Sequence, residues 1–593
     1  MIRKNWKLKD VDSDAVDVLS EALGGNRVLA SLLVQRNVRT IDEMHDFFSP
    51  SYAQLHDPML MHNMKRAVDC IVQLLHDREK MLIYGDYDVD GTTAVAMVYS
   101  YLKKQGGDVS YYIPDRYSEG YGISKQGIDH AYRSGIKWII ALDCGIKANE
   151  KVDYAKSKGI EFIICDHHYA GAKLPQAFAI LNPKCDDTYP YKELSGCGVG
   201  FKLIQALSSA LGLPQEEAYE YIDMVAVSVA SDIVSMDKEN RALTYLGLQK
   251  LNTNPSLGLK SILSISKMRK DQRITSDDIV FRIGPRINAA GRMSSGNRAV
   301  DLLCGQDERL SRELAREIDE HNTLRKQIDT EITGQALREM SKDPQQESHK
   351  STVLFNPNWH KGVVGIVASR LIDTYYKPTV ILTESNGMAT GSARSVEGFD
   401  LYSAVEACSE YLENFGGHTY AAGVTMKLEN IEAFRRKFEE EVSARITPDQ
   451  LVPSVEIDTE IELSQITPEF CAMLKRFQPF GPSNPAPVFL TPNVYCTNDV
   501  RTVGPYGEHL KINVYQINED GTRSPVVPAI GFQMGGRVKE VKAGRPFHIC
   551  YVIEENSYQG NKSYQLRIKD LMAGTLRTIT EDLHDETVYD GGF

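Results

Sequence analysis

The sequence lacks the features that mark several classes of protein. No stretch of the 593 residues contains the roughly 18 consecutive apolar residues that a membrane-spanning helix needs. The chain shows no internal repeat and no low-complexity tract. Its first residues are charged and no apolar segment follows them, which argues against a secretory signal. We therefore expect a globular protein that works in the cytoplasm and does not enter a membrane.

The cysteines lack the paired spacing of a metal or redox motif. No two of the ten form a C-x-x-C pair. Cys144 and Cys165 lie in apolar runs, where a cysteine is usually a small buried hydrophobic residue. Thiols of this kind are typical of a reducing compartment. The sequence therefore predicts neither a disulfide framework nor a zinc site built on thiolates.

Basic residues are fewer than acidic ones. The chain has 67 Lys and Arg against 80 Asp and Glu, and its formal net charge is −13. An acidic total argues against a protein that coats nucleic acid by bulk charge, although it permits a local basic groove. The length corresponds to about three to five domains. Function must therefore be sought in local motifs.

Short apolar runs that end in acidic residues alternate with helical stretches in the first half of the chain. The runs are 81–86, 138–143 and 161–166, and the pattern predicts helices over 92–106 and 149–159. Strands that alternate with helices indicate βαβ units, and continuous apolar strands indicate a parallel sheet that is buried on both faces. This region is therefore predicted to be a parallel α/β domain.

Further parts surround this domain. An apolar spacing of three to four residues predicts helices near the N-terminus, and a charged amphipathic pattern predicts one long connecting helix over 308–342. A second α/β pattern follows, and after Pro453 short strands separated by Gly, Pro and Asn indicate a small β-barrel or sandwich. We expect a helical region at 1–65, a first α/β domain at 66–305, the connecting helix at 306–345, a second α/β domain at 346–450, a β-rich domain at 451–575 and an acidic tail at 576–593.

The strongest local signal is a triplet of aspartates, Asp86, Asp88 and Asp90, just past the first predicted strand. In an extended segment these alternate side chains point to one side, and Gly91 would then allow a turn into a helix that begins at Thr92. Three carboxylates held so close repel one another unless they are protonated or bridged by cations. The triplet therefore predicts a cation site.

Two more predicted strands end in Asp143 and in Asp166-His167-His168. The carboxyl ends of such strands meet at one edge of the sheet, where ligands bind. Oxygen ligands with imidazoles and no thiolate favour Mn²⁺ or Mg²⁺, and a set this large suits two ions that hydrolyse a phosphoester. The alternatives are that single strand-end aspartates cap helices, or that one Ca²⁺ ion is bound, although adjacent histidines fit Ca²⁺ poorly.

Asp232 is a weaker candidate by residue type alone. It is the one acid in an apolar, helix-like run over 225–236. An acid in such a place is more often a helix-end or surface residue than a metal ligand. Its assignment therefore depends on the family resemblance that follows.

Four motifs occur in order along the chain: YGDYDVDG (84–91), ALDCGI (141–146), CDHH (165–168) and VASDIVSM (229–236). They resemble the catalytic motifs of the DHH phosphoesterase family, and within it those of the bacterial single-strand-specific 5′→3′ DNA exonucleases. GPRINAAGRM (284–293) resembles a signature of that branch. GSARS (391–395) and GGHTYAAG (416–423) resemble the family's second domain, DHHA1, so that the resemblance extends over residues 45–570.

The resemblance implies an α/β multidomain fold and one metal-binding set. The fold would comprise a DHH domain with a parallel sheet, a long connecting helix, a DHHA1 α/β domain and a C-terminal OB-type β-barrel. Asp90, Asp143, His167 and Asp232 would hold one divalent cation. Mn²⁺ is the preferred ion and Mg²⁺ the alternative.

The resemblance also implies a second cation and a group that faces the substrate. Asp88 would hold this cation, with Asp143 as the bridge and Asp86 nearby. His168 would face the scissile phosphate. Asp166 would accept a hydrogen bond from a histidine ring, which fixes the tautomer of that ring.

Several residues are implied to hold substrate phosphate: Arg116, Ser392, Arg394, Gly416, Gly417, His418, Arg286, Asn288 and Arg292. The first three would bind at the 5′ end, and the two adjacent glycines would offer backbone N–H groups. The alternative for these loop residues is ordinary loop structure. For Arg286, Asn288 and Arg292 the alternative is a structural role at a domain interface. Tyrosines at 117, 121 and 420 are candidates for stacking on bases. Barrel cations that are candidates for contacts with the DNA backbone are Arg476, Arg501, Lys511 and Arg537.

The implied function is a metal-dependent exodeoxyribonuclease of DNA repair and recombination. It would hydrolyse single-stranded DNA from the 5′ end and release 5′-mononucleotides. It would choose single strands because a narrow cleft between the two α/β domains would admit one strand only. The implied partners are single-stranded DNA, a RecQ-type helicase and a single-strand-binding protein, and the chain is expected to be a monomer. Two alternatives stay open: a phosphodiesterase of short oligonucleotides or cyclic dinucleotides, and a non-catalytic replication scaffold.

Overall fold

The computed structural model describes residues 4–269, 272–342, 348–541, 544–558 and 561–574. The acidic tail predicted over 576–593 lies outside the described residues. Within these ranges, no helix has both the length and the apolar character of a membrane span. All ten cysteines are free thiols and most of them are buried, as the sequence predicts.

The N-terminal region contains a short strand and three helices: β1 (Asn5–Leu8), α1 (Ser13–Ala22), α2 (Arg27–Val34) and α3 (Ile41–Phe48). The predicted helices are therefore present, but they pack on residues that are distant in sequence. Leu29 and Leu33 share an apolar core with Phe477 and Phe547 of the C-terminal domain. β1 also pairs in parallel with β12 (Ser454–Ile457).

The first α/β domain is built on a five-stranded sheet in the order β3-β2-β4-β5-β6, and every neighbouring pair is parallel. Its strands are β2 (Met81–Tyr84), β3 (Val109–Tyr112), β4 (Trp138–Leu142), β5 (Glu161–Cys165) and β6 (Ala179–Leu181). The helices between and around them are α4 (Met64–Asp77), α5 (Val89–Lys104), α6 (Lys125–Arg133), α7 (Asn149–Ser157) and α8 (Gly196–Ala210). Since chain order reverses between β2 and β4, a crevice opens at their carboxyl ends.

Helix α5 begins three residues earlier than the sequence predicts. It starts at Val89 rather than Thr92, because the Asp88 side chain caps it and accepts a hydrogen bond from the Gly91 N–H at 3.1 Å. A carboxylate at this position satisfies a free backbone N–H and lies at the positive end of the helix dipole. The predicted extended spacing of Asp86, Asp88 and Asp90 is therefore wrong, and Asp90 lies in the first helical turn.

A helical layer completes the domain: α9 (Glu216–Tyr219), α10 (Ile222–Ser231), α11 (Lys238–Thr253), α12 (Leu257–Ile265), α13 (Ser276–Asp278), α14 (Gly284–Met293) and α15 (Gly296–Leu303). A π-helical turn, Ile279–Ile283, joins α13 to α14. The connecting helix α16 (Glu308–Met340) matches the prediction of 308–342 and packs on α12, α14 and α15.

The second α/β domain contains a five-stranded sheet in the order β10-β11-β9-β8-β7. Its strands are β7 (Thr352–Phe355), β8 (Thr379–Ser385), β9 (Met388–Arg394), β10 (Asn414–His418) and β11 (Ala421–Lys427). Its helices are α17 (Val364–Tyr375), α18 (Leu401–Glu406) and α19 (Ile431–Arg445). The indole of Trp359 donates a hydrogen bond to Gln335 of α16 at 2.8 Å, which ties this domain to the connecting helix.

The C-terminal domain is a closed β-barrel. Its strands are β13 (Thr459–Glu460), β14 (Phe489–Cys496), β15 (Arg501–Val503), β16 (His509–Gln516), β17 (Val527–Gly531), β18 (Phe547–Tyr558) and β19 (Asn561–Ala573), with one helix, α20 (Pro468–Lys475). β14 pairs with both β18 and β16, so the ring β14-β18-β19-β17-β16 closes on itself. This closure confirms the predicted OB-type barrel.

Candidate metal centre

The predicted metal-binding side chains meet at the carboxyl edge of the parallel sheet. Asp86 follows β2, Asp143 follows β4 and His167 follows β5, and all three side chains are buried. His167 Nε2 lies 3.1 Å from Asp143 Oδ1 and 3.5 Å from Asp232 Oδ2. Asp232 reaches this point from the C-terminal end of α10. Residues that are up to 146 positions apart in sequence thus converge on one point.

Two groups of three side chains have the spacing of a cation site, since the ligand atoms of each lie within 4.8 Å of one another. Asp90, His167 and Asp232 form one group, and Asp143, His167 and His168 form the other. The first contains three of the four residues that the resemblance assigns to one ion. The second brings His168, which the resemblance places against the phosphate, to the same edge.

Several buried polar atoms at this edge have no hydrogen-bond partner among the described residues. They are both carboxylate oxygens of Asp143, Oδ2 of Asp86 and both ring nitrogens of His167. Buried polar atoms without partners are rare and costly in folded proteins. Oxygen and imidazole ligands are the donor set that suits Mn²⁺ and Mg²⁺. The residues present therefore fit a divalent-cation centre.

The pKa values of these side chains also indicate a cation site. Burial and the neighbouring carboxylate of Asp90 raise the pKa of Asp143 well above its ordinary value. The same two causes raise the pKa of Asp232, and burial together with Asp88 raises that of Asp86. Such a cluster needs either protons or cations to be stable at neutral pH. Burial also lowers the pKa of His167 to about 4, which keeps its ring neutral and its nitrogens available as ligands.

Asp166 holds His168 in a fixed orientation. Its Oδ1 accepts hydrogen bonds from His168 Nδ1 at 2.7 Å and from the backbone N–H of His167 at 2.7 Å, and its Oδ2 accepts from the Ile146 N–H at 2.9 Å. Burial opposes ionisation, but the bond from His168, the charges of the two histidines and the bond from the Ile146 N–H together outweigh it and bring the pKa of Asp166 to about 2. Burial disfavours the charged His168 ring, yet the bond to Asp166 and the charges of the neighbouring aspartates together raise its pKa above the ordinary value. Asp166 is thus a hydrogen-bond acceptor for a histidine ring, and that histidine is His168.

Sequence reasoning missed the groups that hold Asp90. Its carboxylate accepts hydrogen bonds from the backbone N–H groups of Gly196 at 2.6 Å and Cys197 at 2.7 Å, and from Ser228 Oγ at 2.6 Å. The two N–H groups belong to the first turn of α8, which carries the positive end of its dipole. Ser195 followed by glycine signals the start of this helix, but the sequence does not reveal which acid the helix end faces.

A cationic cluster borders the metal centre. The Arg116 guanidinium lies 4.8 Å from the ring centroid of Tyr87, the residue after Asp86. Arg394 Nη1 donates a hydrogen bond to Ser392 Oγ at 2.6 Å. Burial and the charge of Arg116 lower the pKa of Arg394, and the same causes lower that of Arg292 to about 10. The charge of Arg116 thus acts on both Arg292 and Arg394.

Three residues, Tyr117, Arg292 and Gly362, form a contact between the two α/β domains that we call the clasp. Arg292 Nη1 donates a hydrogen bond to the Gly362 carbonyl at 2.9 Å, and the Tyr117 hydroxyl donates one to the Arg292 carbonyl. A Cβ atom on Gly362 would lie 2.8 Å from both the Arg292 carbonyl oxygen and the Tyr117 hydroxyl. Only glycine allows this approach, so the clasp holds these parts of the two domains in contact.

The remaining phosphate candidates are spread over two places. Gly416, Gly417 and His418 lie in the edge strand β10, and burial, Arg394 and His168 together lower the pKa of His418. Arg286 instead joins α14 to α16: its Nε donates to Asp319 at 2.9 Å and its Nη1 donates to a carbonyl one turn earlier. Asn288 is half-buried in α14. Phosphate contact by these residues stays a prediction.

The aromatic and barrel candidates also differ in their surroundings. Tyr121 is exposed and its hydroxyl lies 3.3 Å from His168 Nε2, and Tyr420 is exposed beside β10. Arg537 lies in a turn between two barrel strands and pairs with Glu540 and Asp570, so its guanidinium already has partners. The other barrel cations, Arg476, Arg501 and Lys511, stay predictions.

Comparisons with known protein families match three parts of the chain. The DHH family N-terminal domain matches residues 80–229, the DHHA1 domain matches 348–444 and the RecJ OB domain matches 457–570. The first range lies within the first α/β domain and ends just before Asp232, and the other two fall on the second α/β domain and the barrel. The combination agrees with the order of parts predicted from the sequence.

Comparisons with individual proteins agree. The chain is 36% identical over 571 residues to the single-stranded-DNA-specific exonuclease RecJ of Bacillus subtilis (strain 168), covering 96% of this chain and 71% of the relative. Its structure resembles RecJ from Thermus thermophilus in complex with Mn²⁺, with a TM-score of 0.82, 25% identity and coverage of 96% and 80%. The Mg²⁺ complex from that organism shares the fold, with a TM-score of 0.75, 24% identity and coverage of 96% and 79%.

Proposed function

The chain belongs to the RecJ family of single-stranded-DNA-specific exonucleases, and we propose that it degrades single strands from the 5′ end at the metal centre described above. It is a metal-dependent exonuclease whose cations are Mn²⁺ or Mg²⁺. The observation that carries the proposal is the set of buried, unpartnered oxygen and imidazole atoms of Asp143 and His167. These atoms lie next to a cluster of arginines that suits phosphate.

Two cations would occupy the centre. Asp90, His167 and Asp232 would hold one, and Asp86 and Asp88 the second, with Asp143 between them. When bound, the cations supply a water of lowered pKa and neutralise the charge that develops on the leaving oxygen. The chain contributes a rigid ligand set, because backbone N–H groups at the start of α8 hold Asp90 and keep its oxygens in place.

His168 orients the scissile phosphate. Asp166 fixes the Nδ1 side of the ring, so the Nε2 side faces the open cleft near Tyr121. A ring held this way can donate a hydrogen bond to a non-bridging phosphate oxygen, and its raised pKa favours the protonated donor form. His168 would thereby stabilise charge on the phosphate during hydrolysis.

The arginine cluster sets the polarity of degradation. Arg116, Ser392 and Arg394 would hold the 5′-terminal phosphate on one side of the metal centre, so that cleavage releases a 5′-mononucleotide. The clasp of Tyr117, Arg292 and Gly362 supports single-strand choice, because a duplex would have to part the two domains that these residues join. A strand bound by an internal segment would leave the contacts to a terminal phosphate unused, which favours cleavage from the 5′ end.

The cellular role follows from this substrate. We propose that the protein acts in DNA repair and recombination, in the cytoplasm, as a monomer. Ten free cysteines suit a reducing compartment. A RecQ-type helicase and a single-strand-binding protein are the proposed partners, because a single-strand exonuclease needs a source of unwound strand.

A substrate panel tests the proposed function. The protein is incubated with Mn²⁺ and 5′-labelled single strands, 3′-labelled single strands, blunt duplexes, dinucleotides and cyclic dinucleotides. We expect immediate release of labelled mononucleotide from 5′-labelled single strands, late release from 3′-labelled ones and no degradation of duplexes. Cleavage restricted to dinucleotides would contradict the proposal in favour of a small-substrate phosphodiesterase. Cleavage of nothing would favour the scaffold.

A further inference from the structure

A groove with a volume of about 980 Å³ runs beside helix α4. We call it the α4 groove. It is lined by a 3₁₀ turn that precedes the helix, by α4 itself and by residues at the starts of β4 and β6, and its large apolar side chains are Met59, Leu60, Trp138 and Phe178. Ligand pockets in proteins have volumes of roughly 300–1,000 Å³, so this groove can take several side chains of a partner.

The wall that carries Met59 and Leu60 is held in place by hydrogen bonds. Asp57 caps the 3₁₀ turn and accepts a hydrogen bond from the Met59 N–H at 2.8 Å, and Thr188 Oγ1 donates one to the Leu60 carbonyl at 2.5 Å. The two apolar residues are nevertheless each 44% exposed. Grouped apolar side chains in solvent mark interaction sites, and methionine is common on such surfaces because it adapts its shape. The wall is therefore a preformed contact surface.

The groove also contains an arginine without an ion pair. The Arg66 guanidinium lies 4.2 Å from the centroid of the Phe178 ring, and Phe178 packs edge-on against Trp138 with 5.1 Å between ring centroids. Among the described residues, no carboxylate or carbonyl oxygen accepts a hydrogen bond from Arg66. Stacking on the ring fixes the plane of the guanidinium and leaves its N–H groups for a ligand that carries a carboxylate.

The charges that line the groove indicate the chemistry of its partner. They are Lys65, Arg66 and Asp69, an excess of one positive charge on a chain whose formal net charge is −13. Lys65 pairs with Asp69 at 2.7 Å, so Arg66 is the charge that is left for a ligand. An acidic side chain of the partner would form a charge-assisted, bidentate pair with it. The complementary partner is therefore apolar and carries an acid.

The shape of the groove favours a helix as its occupant. Arg66, Cys70 and Gln73 of α4 line it, and their spacing of four and three residues places them on one face of that helix. This face extends over about two turns, or about 10 Å. No described residue that lines the groove belongs to β3 or β6, the edge strands of the sheet, so an added strand would find no backbone to pair with. Docking of an amphipathic helix is the recognition mode that such a groove serves.

The groove lies at the edge of the sheet opposite the metal centre. Trp138 is the first residue of β4, and Asp143 follows the last one. The five residues of this strand span about 16 Å. A chain bound in the groove therefore leaves the carboxyl edge of the sheet open to substrate, and it can stay bound while the metal centre works.

We propose that the α4 groove docks an amphipathic helix of a separate protein. Apolar side chains of that helix pack against Met59, Leu60 and Trp138, and an acidic side chain on the same face pairs with Arg66. Its apolar residues recur every three to four positions, as in any helix with one apolar face. The surface goes beyond the proposed function, because it tethers the enzyme to another protein without using the metal centre.

Peptide selection tests the docking. The full-length protein with Mn²⁺ is used to select binders from a phage-displayed library of peptides of about 16 residues, which form about four helical turns. We expect the enriched peptides to share apolar residues at a spacing of three to four, with an acid on the same face. Synthetic copies should bind Arg66→Met and Leu60→Glu about tenfold more weakly than the wild type in fluorescence anisotropy.

An amide in place of the peptide's acid isolates the charge pair. This exchange should weaken binding to the wild type and leave binding to Arg66→Met unchanged, because the pair is already lost there. Arg133→Met is the matched control: it removes an exposed arginine from α6, whose apolar residues pack on the other face of the sheet, and should bind the peptides as the wild type does. Arg66→Met should also keep the wild-type melting temperature and the wild-type rate of mononucleotide release.

Three outcomes would overturn the proposal. The first is that no peptide is enriched, and the second is that the enriched peptides bind Arg66→Met and Leu60→Glu as tightly as the wild type. The third is self-association of the wild type in analytical ultracentrifugation that Leu60→Glu abolishes, which would assign the groove to a second copy of the chain. The binding measurements contain no DNA, so a failure of the proposed function would leave their result unchanged.

Discussion

A Cβ atom placed on Gly196 would lie 2.5 Å from the Cβ atom of Asp143, and 2.8 Å from its Cα. The first residue of α8 therefore touches the central acid of the metal site directly. The same residue donates its N–H to Asp90. One glycine thus sets the distance between two carboxylates that we propose as metal ligands.

Gly196→Ala should weaken Mn²⁺ binding by about 10- to 100-fold, the usual effect of displacing groups that support metal ligands. Isothermal titration with Mn²⁺ measures it directly, without any substrate. Gly198→Ala is the matched control, because its Cβ would meet its neighbours at 3.4 Å or more in the same helix. Unchanged Mn²⁺ affinity in Gly196→Ala would show that Asp143 is not a ligand at this position.

The metal-free protein should be least stable where the acids are ionised. Since burial and Asp90 raise the folded-state pKa of Asp143, the folded form binds protons more tightly than the unfolded form. Stability of the metal-free protein should therefore fall as pH rises from about 4, the ordinary value for aspartate, towards neutrality. Thermal unfolding in EDTA measures this slope.

Asp143→Asn separates charge repulsion from other causes of that slope. We expect the variant to melt about 2–4 °C above the wild type in EDTA at neutral pH, and to gain less than the wild type when Mn²⁺ is added. Asp129→Asn removes a carboxylate that pairs with Lys158 and should not raise the melting temperature in EDTA, and its gain on addition of Mn²⁺ should equal that of the wild type. A metal-free Asp143→Asn that melts well below the wild type would contradict the repulsion.

The clasp should govern substrate binding more than the chemical step. Gly362→Ala forces a Cβ into the Arg292 carbonyl and the Tyr117 hydroxyl, so the two domains must separate slightly. We expect the KM for single strands to rise about tenfold, since a displaced clasp costs about 1.4 kcal/mol of binding, with a smaller change in kcat. Gly334→Ala on the open side of α16 is the control. Equal KM values for the two variants would count against the clasp.

Arg241 joins the N-terminal region, the first α/β domain and the barrel. Its buried guanidinium donates hydrogen bonds to the carbonyls of Phe47 at 2.6 Å, Arg476 at 3.2 Å and Gln478 at 3.1 Å. Arg241→Leu leaves these carbonyls unpaired and should lower the free energy of unfolding by about 3 kcal/mol. Arg309→Ala removes an exposed ion pair on α16 and should cost under about 0.5 kcal/mol. Urea unfolding of both variants checks the difference.

The sequence predicts the parts of the site that depend on local pattern. Strand-end acids such as Asp143 can be placed at one edge, because parallel strands bring their carboxyl ends together. The connecting helix can be placed to within two residues at its end, because its amphipathic pattern is long and uninterrupted. The family motifs then bring in Asp232, which its own residue type would not.

Tertiary contacts account for what the sequence does not predict. Asp88 caps α5 and moves its start to Val89, a choice between two local conformations that the pattern leaves open. The bonds from Gly196 and Ser228 to Asp90 join residues more than 100 positions apart. Likewise, nothing in the spacing of the N-terminal apolar residues reveals that they pack on a barrel some 400 residues later.

The most direct test of the metal centre is the release of labelled mononucleotide from a 5′-labelled single strand in Mn²⁺, measured for the wild type and for Asp143→Asn beside Asp129→Asn. We predict mononucleotide release by the wild type and by Asp129→Asn, and a loss of release by Asp143→Asn in a protein that stays folded. Degradation of the strand by Asp143→Asn at the wild-type rate would contradict the assignment of the metal centre.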